Sequence, residues 1–389
     1  MTVNSFLKIV QHFLIYAFIV LAPINKAIEY FVPLPVSLLL VVTMMLFLVS
    51  FLEIITSNET QLNPYKLLIV FVFGFELIVS FFSGTGLSFG LIIFVLLFLL
   101  FFNYKGNGSL FKKRVYLCFY LSSIFSSIFS LYFGFIQQEI VRTATIVDGG
   151  IAVSTICVAF YLDDENNNTF KLIGSICCLI TLLLGMSRAR IIIVLSLIVF
   201  RLFLHGKTFA FTKKRVQFFL LFFLISIVTI VLFRDRVFSV ANVALERFQY
   251  GLSSEGRAFE IRIGLEYFKN KPFEGAGWGE IQYVDYQDYL SNYDNHNMFV
   301  AILARGGLLF AIPVFLTFAI SIIQCFKNKA FLALMPLILI LVLGYGNGGF
   351  FNYTNVCLLL LHSLNSSTYT FTRSCYSGLI ESPSNFSRT

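Results

Sequence analysis

Charged residues are scarce in this sequence. Only 12% of the 389 residues are Asp, Glu, Lys or Arg, whereas soluble globular proteins contain about 25%. Hydrophobic residues make up 58% of the chain, which is more than a water-soluble fold of this length buries in its core. The scarcity of charge therefore excludes an ordinary soluble protein and indicates one that lies in a lipid bilayer.

Other residue patterns are missing as well. The seven cysteines include no CxxC motif with a second pair, so they are interpreted as small apolar side chains rather than metal ligands or disulfides. No cluster of His, Asp and Glu has metal-ligand spacing, so no bound metal is expected. The net charge of +8 falls in short basic clusters between apolar runs, a pattern that sets membrane topology and does not indicate nucleic-acid binding.

What the sequence does contain is a series of long apolar runs. They match the thickness of a bilayer and predict an all-α, polytopic membrane protein with about twelve spans. The predicted spans are roughly 6–22, 32–52, 66–83, 86–102, 115–135, 147–162, 170–186, 190–205, 216–233, 297–323, 330–346 and 352–364. Residues 1–364 are expected to form a single membrane domain. A flexible cytoplasmic tail, rich in Ser, Thr and Asn, is expected at 365–389.

The positions of lysine and arginine predict how these spans are oriented. Basic residues concentrate in the loops 103–114, 201–215 and 324–329. The positive-inside rule places these loops, and both termini, in the cytoplasm. The long loop 234–296 then lies on the outer side of the membrane, together with two shorter segments. These two segments are the turn at 187–190 and residues 142–150.

The long loop 234–296 contains the densest group of polar residues in the chain. An amphipathic helix is predicted at 257–269, lying on the membrane surface or on the spans and ending before Pro272. Its predicted apolar face consists of Ala258, Ile261, Leu265 and Phe268. A glycine-rich stretch follows, which either presents N–H groups to an anion or forms a tight turn. Its glycines are Gly275, Gly277 and Gly279.

His296 lies where this loop meets an apolar span. Asp294 or Asn295 is a suitable N-cap, so His296 is expected in the first turn of the helix 297–323. The positive end of the helix dipole disfavours an imidazolium ion, so the neutral ring could accept a proton from a substrate hydroxyl. The alternative is a polar residue that only caps the helix.

Three arginines are predicted on the same outer side. Arg188 and Arg190 lie in the short turn between two spans, and Arg142 lies in the neighbouring outer segment. A guanidinium group binds phosphate oxygens in a fork geometry. Ion pairs with Asp148 or Glu139 at the surface are the alternative.

Two further charged residues, Glu76 and Arg305, fall inside predicted spans. Ionisable side chains within a membrane indicate function by default. An ion pair between these two residues inside the helix bundle is an equally good interpretation.

Taken in order along the chain, these motifs resemble those of the O-antigen ligase and polymerase superfamily. The resemblance covers roughly residues 140–364. In one place the chain departs from the family, because Arg305 stands where an acidic residue is often found. The residues that carry the resemblance are Arg257, the stretch Pro272-Phe273-Glu274-Gly275-Ala276-Gly277-Trp278-Gly279, Asn295-His296-Asn297, Arg305-Gly306-Gly307-Leu308 and the turn Ser187-Arg188-Ala189-Arg190.

The resemblance implies a metal-independent glycosyltransferase of polysaccharide or lipopolysaccharide biosynthesis in the bacterial inner membrane. Its substrate would be a glycan on undecaprenyl diphosphate, with no nucleotide sugar and no cofactor. His296 would act as the base and attack would invert the anomeric carbon. The diphosphate would be held by Arg188 and Arg257 with Arg190 or Arg142. Near the glycan the resemblance places the loop residues Gly275, Gly277, Gly279, Trp278, Asn295 and Asn297.

The partners that the resemblance implies are the lipid bilayer, a chain-length regulator and a flippase of the same pathway. Four tyrosines of the loop would suit stacking on sugar rings or anchoring at the membrane interface. They are Tyr283, Tyr286, Tyr289 and Tyr293.

Three activities remain open at this point. A polymerase is favoured because the loop is modest in size and the chain contains 48 phenylalanines. A ligase, which transfers the finished glycan to a lipid A core or a protein, has the same motifs. A flippase or other transporter is disfavoured because no internal repeat is visible and the polar residues gather on one face rather than at the membrane centre.

Overall fold

A computed structural model of the protein describes several continuous segments and a few isolated positions. The described segments are 3–33, 36–56, 109–136, 150–161, 168–184, 254–277, 282–284, 290–292, 297–328, 330–346 and 354–366, with 193–194 and 196–197 as short helical pieces. The isolated positions are 74, 147, 190 and 242. In these parts the chain is helical, apart from one small β-hairpin, which confirms the all-α class.

The helices are numbered here in chain order. They are α1 (Val3–Leu21), α2 (Asn25–Phe31), α3 (Leu38–Thr56), α4 (Ser109–Leu131), α5 (Gly150–Tyr161), α6 (Asn168–Leu184), α7 (Ser254–Asn270), α8 (Met298–Lys327), α9 (Phe331–Gly346) and α10 (354–366). A π-helical turn, Tyr132–Ile136, continues α4. The two strands of the hairpin are β1 (Gln282–Val284) and β2 (Leu290–Asn292).

Three of the described helical stretches are long and apolar enough to cross a membrane. They are Asn4–Leu21, Leu110–Gly134 and Met298–Lys327. Two shorter apolar helices, Leu38–Glu53 and Ala333–Tyr345, accompany them. The protein is therefore a membrane protein, while the number of about twelve spans stays a prediction.

Most predicted spans that fall on described residues coincide with a helix, but two begin at the wrong residue. The span predicted at 32–52 begins only at Leu38, because residues 25–31 form the separate helix α2, which ends shortly before Pro33. The span predicted at 115–135 begins at Ser109, because the helix includes its basic residues. The predicted spans 66–83, 86–102 and 216–233, and most of 190–205, lie outside the described residues.

The chain divides into two compact units. The first consists of Met1–Ala22, Leu34–Phe119 and Glu255–Thr389, and the second of Pro23–Pro33 and Tyr120–Ser254. The single membrane domain expected at 1–364 and the flexible tail expected at 365–389 stay predictions.

In the first unit, α1 and α3 pack in opposite directions. The Nε2 of Gln11 donates to Ser50 Oγ at 3.1 Å, and the side chain of Asn4 donates to the carbonyl of Thr56 at 3.4 Å. The ring of His12 lies on that of Phe111, with 4.0 Å between the centroids. These contacts bring the beginning of α1, the end of α3 and the beginning of α4 together.

In the second unit, small side chains allow the helices to approach closely. Ser123 Oγ of α4 donates to Thr155 Oγ1 of α5 at 2.8 Å and lies 3.1 Å from Cys178 Sγ of α6. Gly174 of α6 lies against the ring of Tyr120, where a side chain would not fit. The described cysteines take part in no disulfide.

Candidate functional site

The site begins with α7, which packs on α8 within the first unit. Ile263 and Tyr267 of α7, together with Ala276, surround Ala304 of α8, which is completely buried. Of the two placements expected for this helix, on the membrane surface or on the spans, the structure shows packing against α8.

The predicted apolar face of α7 is wrong. Two of its residues, Ala258 and Leu265, are exposed, while Ile261 and Phe268 are half-buried. The contact with Ala304 instead uses the neighbouring stripe of the helix, where an aromatic ring and a branched side chain meet a small residue. Tyr267 and Ile263 cover more apolar area there than Ala258 could.

α7 ends at Asn270, two residues before Pro272, as the sequence predicts. A tight turn follows, in which the N–H of Gly275 donates to the carbonyl of Lys271 at 2.9 Å. Gly275 and Gly277 have positive φ angles of 69° and 87°, which lie in the left-handed region that glycine adopts easily. The turn carries the chain directly onto α8.

α8 is interrupted at Gly307, whose φ and ψ angles are 58° and −164°. In a regular helix, each N–H donates to the carbonyl four residues earlier. Here Leu308 N donates to the carbonyl of Pro272 at 2.8 Å, and Leu309 N to that of Phe273 at 3.2 Å. Two helical hydrogen bonds across the interruption are thereby replaced by bonds to the turn.

The turn also satisfies the two carbonyls that this interruption frees. Ala276 N donates to the carbonyl of Ala304 at 2.8 Å, and Gly277 N to that of Arg305 at 2.9 Å. Unpaired backbone groups are costly in an apolar environment. Because the turn supplies these hydrogen bonds, α8 is interrupted without leaving the two N–H groups and the two carbonyls unpaired. We call these four hydrogen bonds between residues 272–277 and 304–309 the clasp.

Two glycines of the clasp, Gly275 and Gly307, are in close backbone contact. A Cβ atom on Gly275 would lie 2.6 Å from Gly307 N, and a Cβ atom on Gly307 would lie 2.7 Å from Gly275 N. In both cases the added atom would meet backbone, which cannot rotate away, and both residues have a positive φ angle. Only glycine therefore fits at either position without strain.

The clasp decides between the two interpretations of the glycine-rich stretch for residues 275–277. The N–H groups of Gly275, Ala276 and Gly277 all donate to backbone carbonyls, so none is left to bind an anion. In this part the stretch is a tight turn. Trp278 and Gly279 lie outside the described residues.

α8 begins at Met298, with Asn297 as its N-cap. The Asn297 Oδ1 accepts hydrogen bonds from Phe299 N at 3.0 Å and Val300 N at 3.2 Å. The prediction that Asp294 or Asn295 caps the helix is therefore wrong. Asn297 is the residue directly before the helix, and its side chain accepts from the first free N–H groups, as an N-cap does. As a consequence, position 296 precedes the helix and does not belong to its first turn.

The beginning of α8 is also held from the side. Met298 is almost completely buried, at 1% exposed. Its side chain lies against Gly344 of α9, where a Cβ atom would meet the sulfur of Met298 at 2.7 Å. Backbone capping and this packing together fix the point at which α8 begins.

A hairpin in the loop was not predicted from the sequence. β1 and β2 pair antiparallel, with Tyr283 opposite Ser291. The tyrosine and valine of β1 favour strands, but each strand has only three residues, which is too short for a recognisable alternation.

The structure places some of the predicted site residues and not others. Arg257 lies in α7, and Arg190 is helical and half-buried in the second unit. Arg305 lies in α8 directly before the interruption. The predicted residues outside the described part are His296, Asn295, Trp278, Gly279, Arg142, Arg188 and Glu76. Within the described part, no three His, Cys, Asp or Glu side chains lie close enough together to hold a metal ion.

The comparison with known families falls on this same region. Residues 173–315 match the family described as O-antigen ligase. This stretch is therefore similar to the domain of that family. The superfamily resemblance is thereby confirmed, and it points to an enzyme of the glycosyltransferase type that acts on lipid-linked glycans. No curated protein sequence matches the chain.

The matched stretch contains every element of the clasp. The matched residues 173–315 include α7, the turn, the hairpin and the first half of α8. Arg142 precedes the matched stretch in the sequence.

Proposed function

We propose that this protein polymerises repeat units carried on undecaprenyl diphosphate at the periplasmic face of the bacterial inner membrane. The observation that carries the proposal is the match of residues 173–315 to the O-antigen ligase family. The match contains Arg188, Arg257 and His296 in a single stretch. The described helices supply the membrane scaffold, and both termini are proposed to be cytoplasmic.

In the proposed reaction, His296 removes the proton from a hydroxyl group of the acceptor sugar. The resulting oxygen bonds to the anomeric carbon of the donor glycan from the side opposite the diphosphate. The bond between that carbon and the diphosphate oxygen breaks, so the configuration inverts. Undecaprenyl diphosphate leaves with the bonding electron pair, and His296 returns its proton to water.

The arginines are proposed to stabilise the leaving group. Its negative charge increases as the glycosidic bond breaks, and guanidinium groups placed beforehand around it lower the barrier. Arg188 and Arg257 have this role in the proposal, with Arg190 or Arg142. Because arginine supplies the positive charge, the proposed step includes no metal.

The ligase is the second candidate, because the matched family is itself described as O-antigen ligase. In that reaction the same donor is attacked by a sugar of the lipid A core or by a protein. The modest loop and the 48 phenylalanines are the reasons for placing the polymerase first.

The test is a gene replacement with His296→Ala, compared with a deletion strain and with His205→Ala as the control. His205 lies in the loop 201–215 that is predicted on the cytoplasmic side, so the control should give the normal polysaccharide ladder. A polymerase gives single repeat units on the lipid A core in both the His296→Ala and the deletion strain. Loss of every surface repeat with accumulation of lipid-linked polymer indicates the ligase.

A normal ladder in His296→Ala, at normal protein levels, would overturn the role of His296 as the base. It would also favour a transporter, whose action needs no residue that accepts a proton from a sugar.

A further inference from the structure

We propose that Gly275 and Gly307 are positioning residues: through the clasp, they fix α7, which carries the candidate diphosphate ligand Arg257, relative to the beginning of α8 at Asn297. This inference rests on the proposed function, since it assigns the clasp a role in that reaction. Neither glycine is proposed to touch the substrate.

The first argument is the path of the chain on either side of the clasp. Arg257 lies near the beginning of α7, which leads into the turn at residue 272. On the other side, Asn297 follows His296 in the sequence and caps α8, which leads to Ala304. The clasp is therefore the place where the two segments that carry the candidate residues are joined by backbone hydrogen bonds.

The second argument is the rigidity of this junction. Four backbone hydrogen bonds of 2.8–3.2 Å connect the segments, and Gly275, Gly277, Gly306 and Gly307 are all buried. Ile263 and Tyr267 of α7 add side-chain packing around Ala304. Backbone bonds of this kind define a position more sharply than contacts between flexible side chains.

The third argument is that a small rotation at the clasp produces a large displacement at the far end of α7. With a rise of about 1.5 Å per residue, Arg257 lies roughly 20 Å from the end of α7. A tilt of about 5° at the clasp then moves that end of the helix by about 2 Å. Misplacement of a reacting group by about 1 Å can lower the rate by about 100-fold, so a small change in the clasp should strongly affect turnover.

The test uses the full-length protein in proteoliposomes with undecaprenyl-diphosphate-linked repeat units. Gly275→Ala and Gly307→Ala are compared with Gly74→Ala as the control. Gly74 is helical and half-buried, and a Cβ atom there would meet no other atom within 4 Å. The measurements are kcat and KM, together with hydrogen exchange of the peptides that contain residues 272–277 and 308–309.

If the inference is right, each clasp variant lowers kcat by at least about tenfold per folded enzyme with little change in KM. The control should change kcat by less than about twofold, because its added methyl group meets no neighbouring atom. Exchange in the two clasp peptides should accelerate in both clasp variants and not in the control. The double variant should be no worse than either single variant, because both substitutions disrupt the same contact.

A second variant keeps the test decisive if these proteins fold poorly. Leu308→Pro removes the N–H that donates to the carbonyl of Pro272, and proline is tolerated at the first residue of a helical segment. It should lower kcat in the same way while α8 stays intact.

The possible failures can be told apart. Fast exchange of residues 275–277 in the unmodified protein would show that the clasp is not formed, whatever the enzyme does. Open clasp peptides with an unchanged kcat would overturn the positioning role alone. A slowly exchanging clasp in a protein that joins no repeat units would contradict the proposed function and the positioning role that rests on it.

Discussion

Asn297→Ala should loosen the beginning of α8 by a measurable amount. The substitution removes the Oδ1 that accepts from Phe299 N and Val300 N, while the carbonyl of Asn297 still accepts from Ala301 N at 2.9 Å. Loss of an N-cap costs about 1 kcal/mol. If this cost appears in local opening, the exchange rate of the two uncapped amides rises roughly fivefold.

The assay is hydrogen exchange of the protein in lipid nanodiscs, read on the peptide that contains residues 298–301. Asn297→Asp and Asn297→Ser serve as controls, because both side chains are good N-caps and keep an oxygen at this position. They should exchange like the unmodified protein. Because Met298 packs on Gly344, opening should stay within the first turn, and peptides of α9 should not change.

Equal exchange of the 298–301 peptide in Asn297→Ala and in the unmodified protein would refute this reasoning. It would mean that water or another side chain satisfies Phe299 N and Val300 N equally well, and that Asn297 does not determine where α8 begins.

Two further predictions concern helix packing in the second unit. Ser123→Ala and Thr155→Ala should each lower the stability of the protein modestly, as measured by thermal unfolding in detergent. In a double-mutant cycle the two substitutions should be coupled by about 0.6 kcal/mol, because hydrogen bonds between helices in membranes are worth about that much. Additive effects of the two substitutions would contradict the hydrogen bond between these side chains. Gly174→Val should lower the midpoint temperature of thermal unfolding more than Gly174→Ala. The reason is that a side chain at this position meets the ring of Tyr120, and overpacking costs about 1–3 kcal/mol. Equal midpoints for the two variants and the unmodified protein would show that Tyr120 moves away freely.

The sequence predicts the long helices well because a membrane span has a strong local signal. α1 and α9 begin and end close to the predicted residues, since apolar runs and flanking polar residues determine both ends. α3 begins later than predicted because hydropathy averages over α2 and the two prolines after it. Hydropathy does not distinguish an apolar residue in a short helix from one in a span.

The start of α8 was predicted with less success, for a local reason. The run Asp294-Asn295-His296-Asn297 contains three residues that are suitable N-caps, and their intrinsic preferences differ little. The choice of Asn297 depends on where Met298 packs against Gly344, a contact between residues that are far apart in the sequence. A contact of this kind cannot be predicted from a single sequence.

The clasp was not predicted, although both of its glycine motifs were recognised. Gly306 and Gly307 lie within a run that is apolar except for Arg305, so no break in the span is visible in the sequence. Their fit with Gly275 depends on backbone groups about thirty residues apart, which carry no side-chain signal. The positive φ of Gly307 is the physical reason why a glycine is needed there.

The role of His296 as a base in lipid-linked glycan transfer is the central claim. The most direct measurement is the turnover of purified protein in proteoliposomes supplied only with undecaprenyl-diphosphate-linked repeat units. We expect polymer to form with release of one undecaprenyl diphosphate for each new glycosidic bond, and we expect His296→Ala to abolish both while His205→Ala leaves them unchanged. Equal polymer formation by His296→Ala and the unmodified protein would contradict the account.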